Sequence, residues 1–317
     1  TFAGSGAPGF VNNTGLAGQF NSVQGVATDA QGNVYVADSF NNSIRKITTS
    51  GVTTQLAGAG TIGFADGAGA TAHFYSPIGL AVDAQGNIYV ADQGNNAIRK
   101  VTAAGVVTTL AGGSGAGYTG ATGAAAKFNN PAGLTVDAQG NVYVADKGNN
   151  VIRKITAAGV VTTLCGAKTA SFADGAATTA SFNSPSGVAL DGKGYLYVAD
   201  LGNHAIRKVT IADGTVSTLL GNPTAQPNVV NLPVSITADN KGDFFIVDEG
   251  GRILELSSAN ILYNLAGQAN SNGFTNGQGN AAMFDSPQGI AVDAQGNVFV
   301  ADNNNNVIRK IVVTTAP

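Results

Sequence analysis

Charge is scarce in this chain. Lys, Arg, Asp and Glu make up only 11% of its 317 residues, and the formal net charge is −3. So weak a field offers no draw toward nucleic acid or anionic lipid, and neither is expected as a partner. Cysteine is almost missing. Cys165 stands alone, which excludes an internal disulfide framework. It occupies the place that Ala57 and Ala111 hold in neighbouring copies of one phrase, and so reads as a small buried residue. Histidine is limited to His73 and His204, too few for a histidine-rich metal site, though carboxylates could join them. No apolar run approaches the roughly 18–20 residues that span a bilayer as a helix, so no membrane insertion is expected. No signal peptide is legible, and the opening at Thr1 without methionine is consistent with a removed leader.

What the chain has in abundance is repetition. The phrase Gly79-Leu-Ala-Val-Asp83-Ala-Gln-Gly-Asn87-Ile-Tyr-Val-Ala-Asp92 is followed by Asn95-Asn96 and Ile98-Arg99-Lys100-Val101. Its closing aspartate recurs at Asp38, Asp92, Asp146, Asp200, Asp248 and Asp302, at intervals of 54, 54, 54, 48 and 54 residues. A fixed period of this size marks a repeat architecture, and six copies read as one closed domain over residues 1–317. Within the second copy, Gly79–Asp83, Ile88–Asp92, Ala97–Thr102 and Val106–Ala111 are short β-rich runs separated by Gly/Asn turns. Ile88 and Val90 lie on one face of the second run, Tyr89 and Ala91 on the other. A strand apolar on both faces needs cover on both. Six sheets can cover one another only by stacking around an axis, which predicts an all-β, six-bladed propeller of four-stranded antiparallel blades. Thr1-Phe2-Ala3-Gly4 matches the fourth-strand ending Thr109-Leu110-Ala111-Gly112, while the sixth copy stops after Ile308-Arg309-Lys310-Ile311 and a short tail. The N-terminal strand is therefore expected to close the last blade and hide two sheet edges.

The recurring Gly-Val-Ala-x-Asp-x-x-Gly-Asn-x-Tyr-Val-Ala-Asp-x-x-Asn-Asn-x-Ile-Arg-Lys resembles the NHL repeat over essentially the whole chain. The resemblance implies a six-bladed propeller. It leaves function open, because such propellers serve as protein-binding, RNA-binding and sensor domains and, in some relatives, as lyases.

Five Asp–Arg pairs keep a seven-residue interval: Asp38/Arg45, Asp92/Arg99, Asp146/Arg153, Asp200/Arg207 and Asp302/Arg309. The interval crosses one hairpin loop, so a structural ring of charge-assisted contacts is expected in preference to a carboxylate ring for metal or substrate. The segments Gly4-x-Gly6-x-x-Gly9 and Gly58-x-Gly60-x-x-Gly63 fit a dinucleotide fingerprint, but no helix follows them, so no nucleotide is expected.

The turns after strands two and four fall on one face of a blade, which gathers the Asn-Asn loops and long connectors such as residues 58–76. Function concentrates on such loops. Aromatic pairs recur there ten residues apart: Phe10/Phe20, Phe64/Phe74, Tyr118/Phe128, Phe172/Phe182 and Phe274/Phe284. They read as anchors that pin the connectors, each buried ring contributing about 1.5–3 kcal/mol. The fifth copy departs from the pattern. Its connector, residues 221–233, is short, Asp248-Glu-Gly-Gly-Arg252 replaces Asp-x-x-Asn-Asn, and Leu254-Glu255 replaces Arg-Lys. A notch is expected beside Asn203 and His204. His204, Asn203, Glu249, Arg252, Asp66 and Tyr118 are accordingly the candidate ligand-binding residues, and no catalytic residue is assigned.

These readings favour a monomeric, non-enzymatic module that recognises a protein or carbohydrate partner through the long-loop face. It is read as an extracellular, cell-surface or periplasmic bacterial protein, or a fragment of a larger one. The alternative implied by propeller relatives is a metal-dependent, lactonase- or lyase-like enzyme. The Asn/Asp-rich loops make calcium the candidate cofactor for that alternative.

Overall fold

The computed structural model describes residues 1–222 and 229–313. Six antiparallel sheets follow one another along the chain. In the second, Pro77–Val82, Ile88–Asp92, Ala97–Val101 and Val106–Gly112 pair in sequence order. The connector adds a short outer strand there, Gly67–Ala68, against Val106 and Val107. The fifth blade keeps four strands: Pro233–Ala238, Phe244–Asp248, Arg252–Leu256 and Leu262–Ala266. The sixth has three strands of its own, Pro287–Val292, Asn297–Asp302 and Val307–Val312. Its edge is met by the N-terminus. Ala3 bridges to Ile308, with Phe2 N–H donating to Ile308 O at 2.7 Å and Ile308 N–H to Ala3 O at 2.8 Å. The closure is thus a single bridge and not a full strand.

The two-faced second strands explain the ring. Ile88 and Val90 pack with Ala27, Tyr35 and Ala37 of the first blade. Tyr89 and Ala91 pack with Val142 and Val144 of the third. The same division repeats around the molecule, giving six cores, each shared by two neighbouring blades and one joining the sixth to the first. No blade owns a core, so no blade can fold without its neighbours.

The first strands line the axis. Val26, Leu80, Leu134, Val188, Ile236 and Ile290 face a central cavity of about 210 Å3. Blade backbones approach so closely here that the third position of the strand is glycine in every blade but the fifth, which carries Ser235. A Cβ on Gly79 would lie 2.2 Å from Ala132 O, and one on Gly25 would lie 1.9 Å from Ile78 O. At Gly25 and Gly79 only a hydrogen fits.

Candidate functional site

The long-loop face is built around five buried arginines. Arg99 sits on the third strand of its blade, opposite Val90, and is fully buried. Its Nη1 donates to Asp92 Oδ2 at 2.8 Å and to His73 O at 3.0 Å. Its Nη2 donates to Ala65 O at 2.8 Å and to Asp66 Oδ1 at 2.7 Å. Asp92 also accepts Tyr75 N–H and Asn95 Nδ2, each at 2.8 Å. Asn95 Nδ2 donates in turn to Gly63 O at 2.8 Å. One Asp–Arg–Asn set therefore gathers both ends of the preceding connector, where Ala65 O also accepts His73 N–H at 3.0 Å. Burial pushes the Asp92 carboxyl upward, against the pull of Asn95, Tyr75 N–H and the Arg99 charge.

The other pairs repeat this geometry, with Arg–Asp contacts of 2.7 Å at Arg45, 2.9 Å at Arg153, 2.7 Å at Arg207 and 2.7 Å at Arg309. Each arginine donates to the carbonyls 26 and 34 residues before it: Gln19 and Val11, Lys127 and Thr119, Ser181 and Ala173, Met283 and Thr275. Both oxygens of each of these carboxylates accept at least one hydrogen bond, and all five carboxylates are buried away from solvent. Among the described residues, no three His, Cys, Asp or Glu side chains gather as a metal site.

The aromatic pairs belong to the same clamp. Both rings of every pair lie 4.4–5.4 Å from a guanidinium carbon, flanking Arg45, Arg99, Arg153, Arg207 and Arg309. The expectation of buried anchors holds for the second member only: Phe20, Phe74, Phe128, Phe182 and Phe284 are buried. The first members remain accessible, with Phe10, Phe64, Tyr118 and Phe274 between 36% and 50% exposed. They cover a cation with one face and meet solvent with the rest, because cation–π contact needs only a single face.

The other candidate residues fall into repeat positions. Asn203 Nδ2 bonds Ser171 O and Asp200 Oδ2, both at 2.8 Å, as Asn95 does in its blade. It is buried, and its amide is committed. His204 adopts the left-handed backbone of Asn42, Asn96, Asn150 and Asn306. Those asparagines accept the N–H of Ser76, Asn130, Ser184 and Ser22 from the next connector. His204 Nδ1 accepts Leu232 N–H at 3.2 Å in the same role. An acceptor on a ring of similar reach has replaced an amide oxygen.

Asp66 binds Arg99 and also accepts the N–H and hydroxyl of Thr109 at 3.0 and 2.9 Å. Burial raises its carboxyl, but the Arg99 and Thr109 hydrogen bonds and the Arg99 charge outweigh that and hold it below the usual range. Tyr118 flanks Arg153, and its hydroxyl meets Thr163 Oγ1 at 2.8 Å. Arg252 pairs with Asp248 directly across the strand, while Leu254 occupies the usual arginine place and is buried. Glu249 is exposed, and its N–H donates to Leu232 O at 3.2 Å. His204 and Glu249 thus meet at Leu232. The expected notch depends on the connector whose residues 223–228 lie outside the described ones.

Two exposed residues escaped the sequence reading. Phe40 is 66% exposed where other copies carry Gly94, Gly148 and Gly202. Tyr75 is 41% exposed where others carry Asn21, Asn129 and Asn183. Both flank Asn42, which donates to Phe40 O at 3.4 Å and accepts Ser76 N–H at 3.0 Å. Their departure from the repeat was the available signal. The nearby channel mouth is lined by Gln24, Ile78, Gln93, Lys147, Ser186 and Gln288 among others, with no carboxylate or imidazole in its wall.

The family profile described as NHL repeat matches residues 20–47, 74–101, 182–209 and 284–311, and that of the Teneurin NHL domain matches residues 113–173. The chain belongs to the NHL-repeat family. This NHL propeller is 30% identical over 284 residues to Protein SUPPRESSOR OF QUENCHING 1, chloroplastic, of Arabidopsis thaliana, covering 81% of the chain and 27% of that protein. It spans 22–30% of the length of the curated relatives it matches. Among solved structures, a Bacteroides thetaiotaomicron protein of unknown function superposes with a TM-score of 0.75 at 18% identity, over 98% of this chain and 74% of that one. A gluconolactonase from Xanthomonas campestris gives 0.63 at 18% identity, over 90% and 84%. At such identities the likeness is one of fold.

Proposed function

We propose that this NHL propeller is a non-enzymatic recognition module that engages a protein or glycan partner through its long-loop face. The observation that carries the reading is the contrast between the axis and that face. The central cavity is walled by Gly, Val, Leu, Ile, Ala, Thr and Ser, and neither its wall nor that of the long-loop mouth carries a carboxylate or an imidazole. The surrounding loops instead expose aromatic surface at Phe10, Phe40, Phe64, Tyr75, Tyr118 and Phe274. The arginine clamps hold that surface, so little ordering is left to be done on binding.

Exposed aromatics on rigid loops suit both protein side chains and sugar rings. The test is array profiling against proteins and glycans, comparing the unaltered chain with Phe40→Ser/Tyr75→Ser. Selective binding that the double variant loses, with an unchanged melting temperature, supports the proposal. Binding that survives the double variant and is lost on altering channel residues contradicts it.

A further inference from the structure

One blade lacks an acceptor that the others supply. Arg45, Arg99, Arg207 and Arg309 each donate through Nη2 to a side-chain oxygen 33 residues earlier: Asn12, Asp66, Asp174 and Asn276. In the third blade that position is Gly120, and Arg153 Nη2 donates only to Thr119 O, at 3.1 Å. The missing group has a defined shape. In the second blade Asp66 takes Arg99 at 2.7 Å together with Thr109 N–H and hydroxyl. In the fourth, Asp174 takes Arg207 at 2.6 Å together with Thr218 N–H and hydroxyl, both at 3.0 Å. Thr163 is their counterpart in the third blade, opposite Arg153 and exposed, and there its hydroxyl meets that of Tyr118 at 2.8 Å.

The charge around Gly120 favours an anion. Gly120 is exposed, and a Cβ built on it would lie 3.1 Å from Val161 O and 4.0 Å from Arg153 Nη2. Lys168 places its ammonium 4.3 Å from the Tyr118 ring centre, and Tyr118, Thr163 and Lys168 together line a groove of about 250 Å3. No Asp or Glu occurs between Asp92 and Asp137 or between Asp146 and Asp174, so no acidic residue from the connector or strand offsets Lys168.

We infer that Arg153, Thr163 and Lys168 form a carboxylate-binding site, and that its ligand is an aspartate or glutamate side chain of a protein partner. A peptide carboxylate is the group that the same donors already hold in two neighbouring blades, where it makes charge-assisted hydrogen bonds. The inference rests on the reading of the long-loop face as the recognition surface, and names the chemistry of one contact on it.

The vacancy can be filled from within. Gly120→Asp should restore the arrangement of Asp66 and raise the melting temperature by about 2–4 °C over Gly120→Ala, which supplies the Cβ without the carboxylate. Amide NMR of the unaltered chain titrated with N-acetylaspartate amide should show saturable shifts at Thr163, absent in Gly120→Asp. Equal stability of the Asp and Ala variants, together with no saturable shift at Thr163, would overturn the site. Tighter binding of glucuronate than of N-acetylaspartate amide would overturn the assignment to a peptide carboxylate. Neither outcome bears on binding through Phe40 and Tyr75, so the two proposals fail separately.

Discussion

Replacing Arg99 with Met removes the guanidinium and keeps much of the aliphatic stem. The side chain is fully buried and donates to Asp92, Asp66, His73 O and Ala65 O, with rings of Phe64 and Phe74 at 4.8 and 5.2 Å. Asp92 would keep Tyr75 N–H and Asn95 but lose its cation at 0% exposure. Breaking a buried pair from one side costs about 3–5 kcal/mol, because the surviving charge stays desolvated. The loss of donors to two connector carbonyls acts in the same direction, without adding in full. For a chain of this size, the melting temperature should fall by about 5–8 °C. Differential scanning calorimetry measures this. Leu254 provides the internal comparison, since the fifth blade already tolerates an aliphatic side chain there with Arg252 paired to Asp248. A melting temperature for Arg99→Met within a degree of the unaltered chain would refute the clamp as a source of stability.

Burial, then the charge and hydrogen bond of Asp83 or Asp137, pushes the Tyr89 and Tyr143 hydroxyls up to about 12. These values exceed those of the unfolded chain, so their contribution is complete below about pH 10 and is lost as pH rises through the folded value. From these hydroxyls alone, melting temperatures should stay level up to about pH 10 and fall between about pH 10 and 12, and Tyr89→Phe should flatten the fall. Asp66 is shifted the other way, so its contribution is present above about pH 4 and lost as pH drops through its lower folded value. The stability gap between the unaltered chain and Asp66→Asn should therefore narrow in melts taken below about pH 4. His204→Asn should restore the repeat's own amide acceptor for Leu232 N–H and change stability by no more than about 0.5 kcal/mol in urea titration.

Much of the ring was legible because the physics that builds it is periodic. The second strand's two apolar faces announced shared cores, and the seven-residue Asp–Arg interval spans one hairpin. The match between Thr1–Gly4 and Thr109–Gly112 announced closure at Ile308. The clamp's other contacts were hidden because they join residues 26–34 apart through backbone carbonyls, which leave no mark on side-chain identity. Asp66, Asn203 and His204 looked like distinctive polar residues, yet each fills a position that other copies fill with an equivalent acceptor or donor. The informative departures were subtractions or swaps in a single copy: Gly120 for an acid or amide, Phe40 for glycine, Tyr75 for asparagine. Reading them required knowing what the replaced group touches in the other blades.

This propeller is proposed to recognise a partner and not to perform metal-dependent chemistry at its axis. Divalent-metal content per chain, measured by mass spectrometry on protein purified without chelators and equilibrated with calcium before gel filtration, tests it most directly. Far less than one ion per chain is expected. One calcium per chain, retained through filtration and lost on altering residues of the channel mouth, would contradict it.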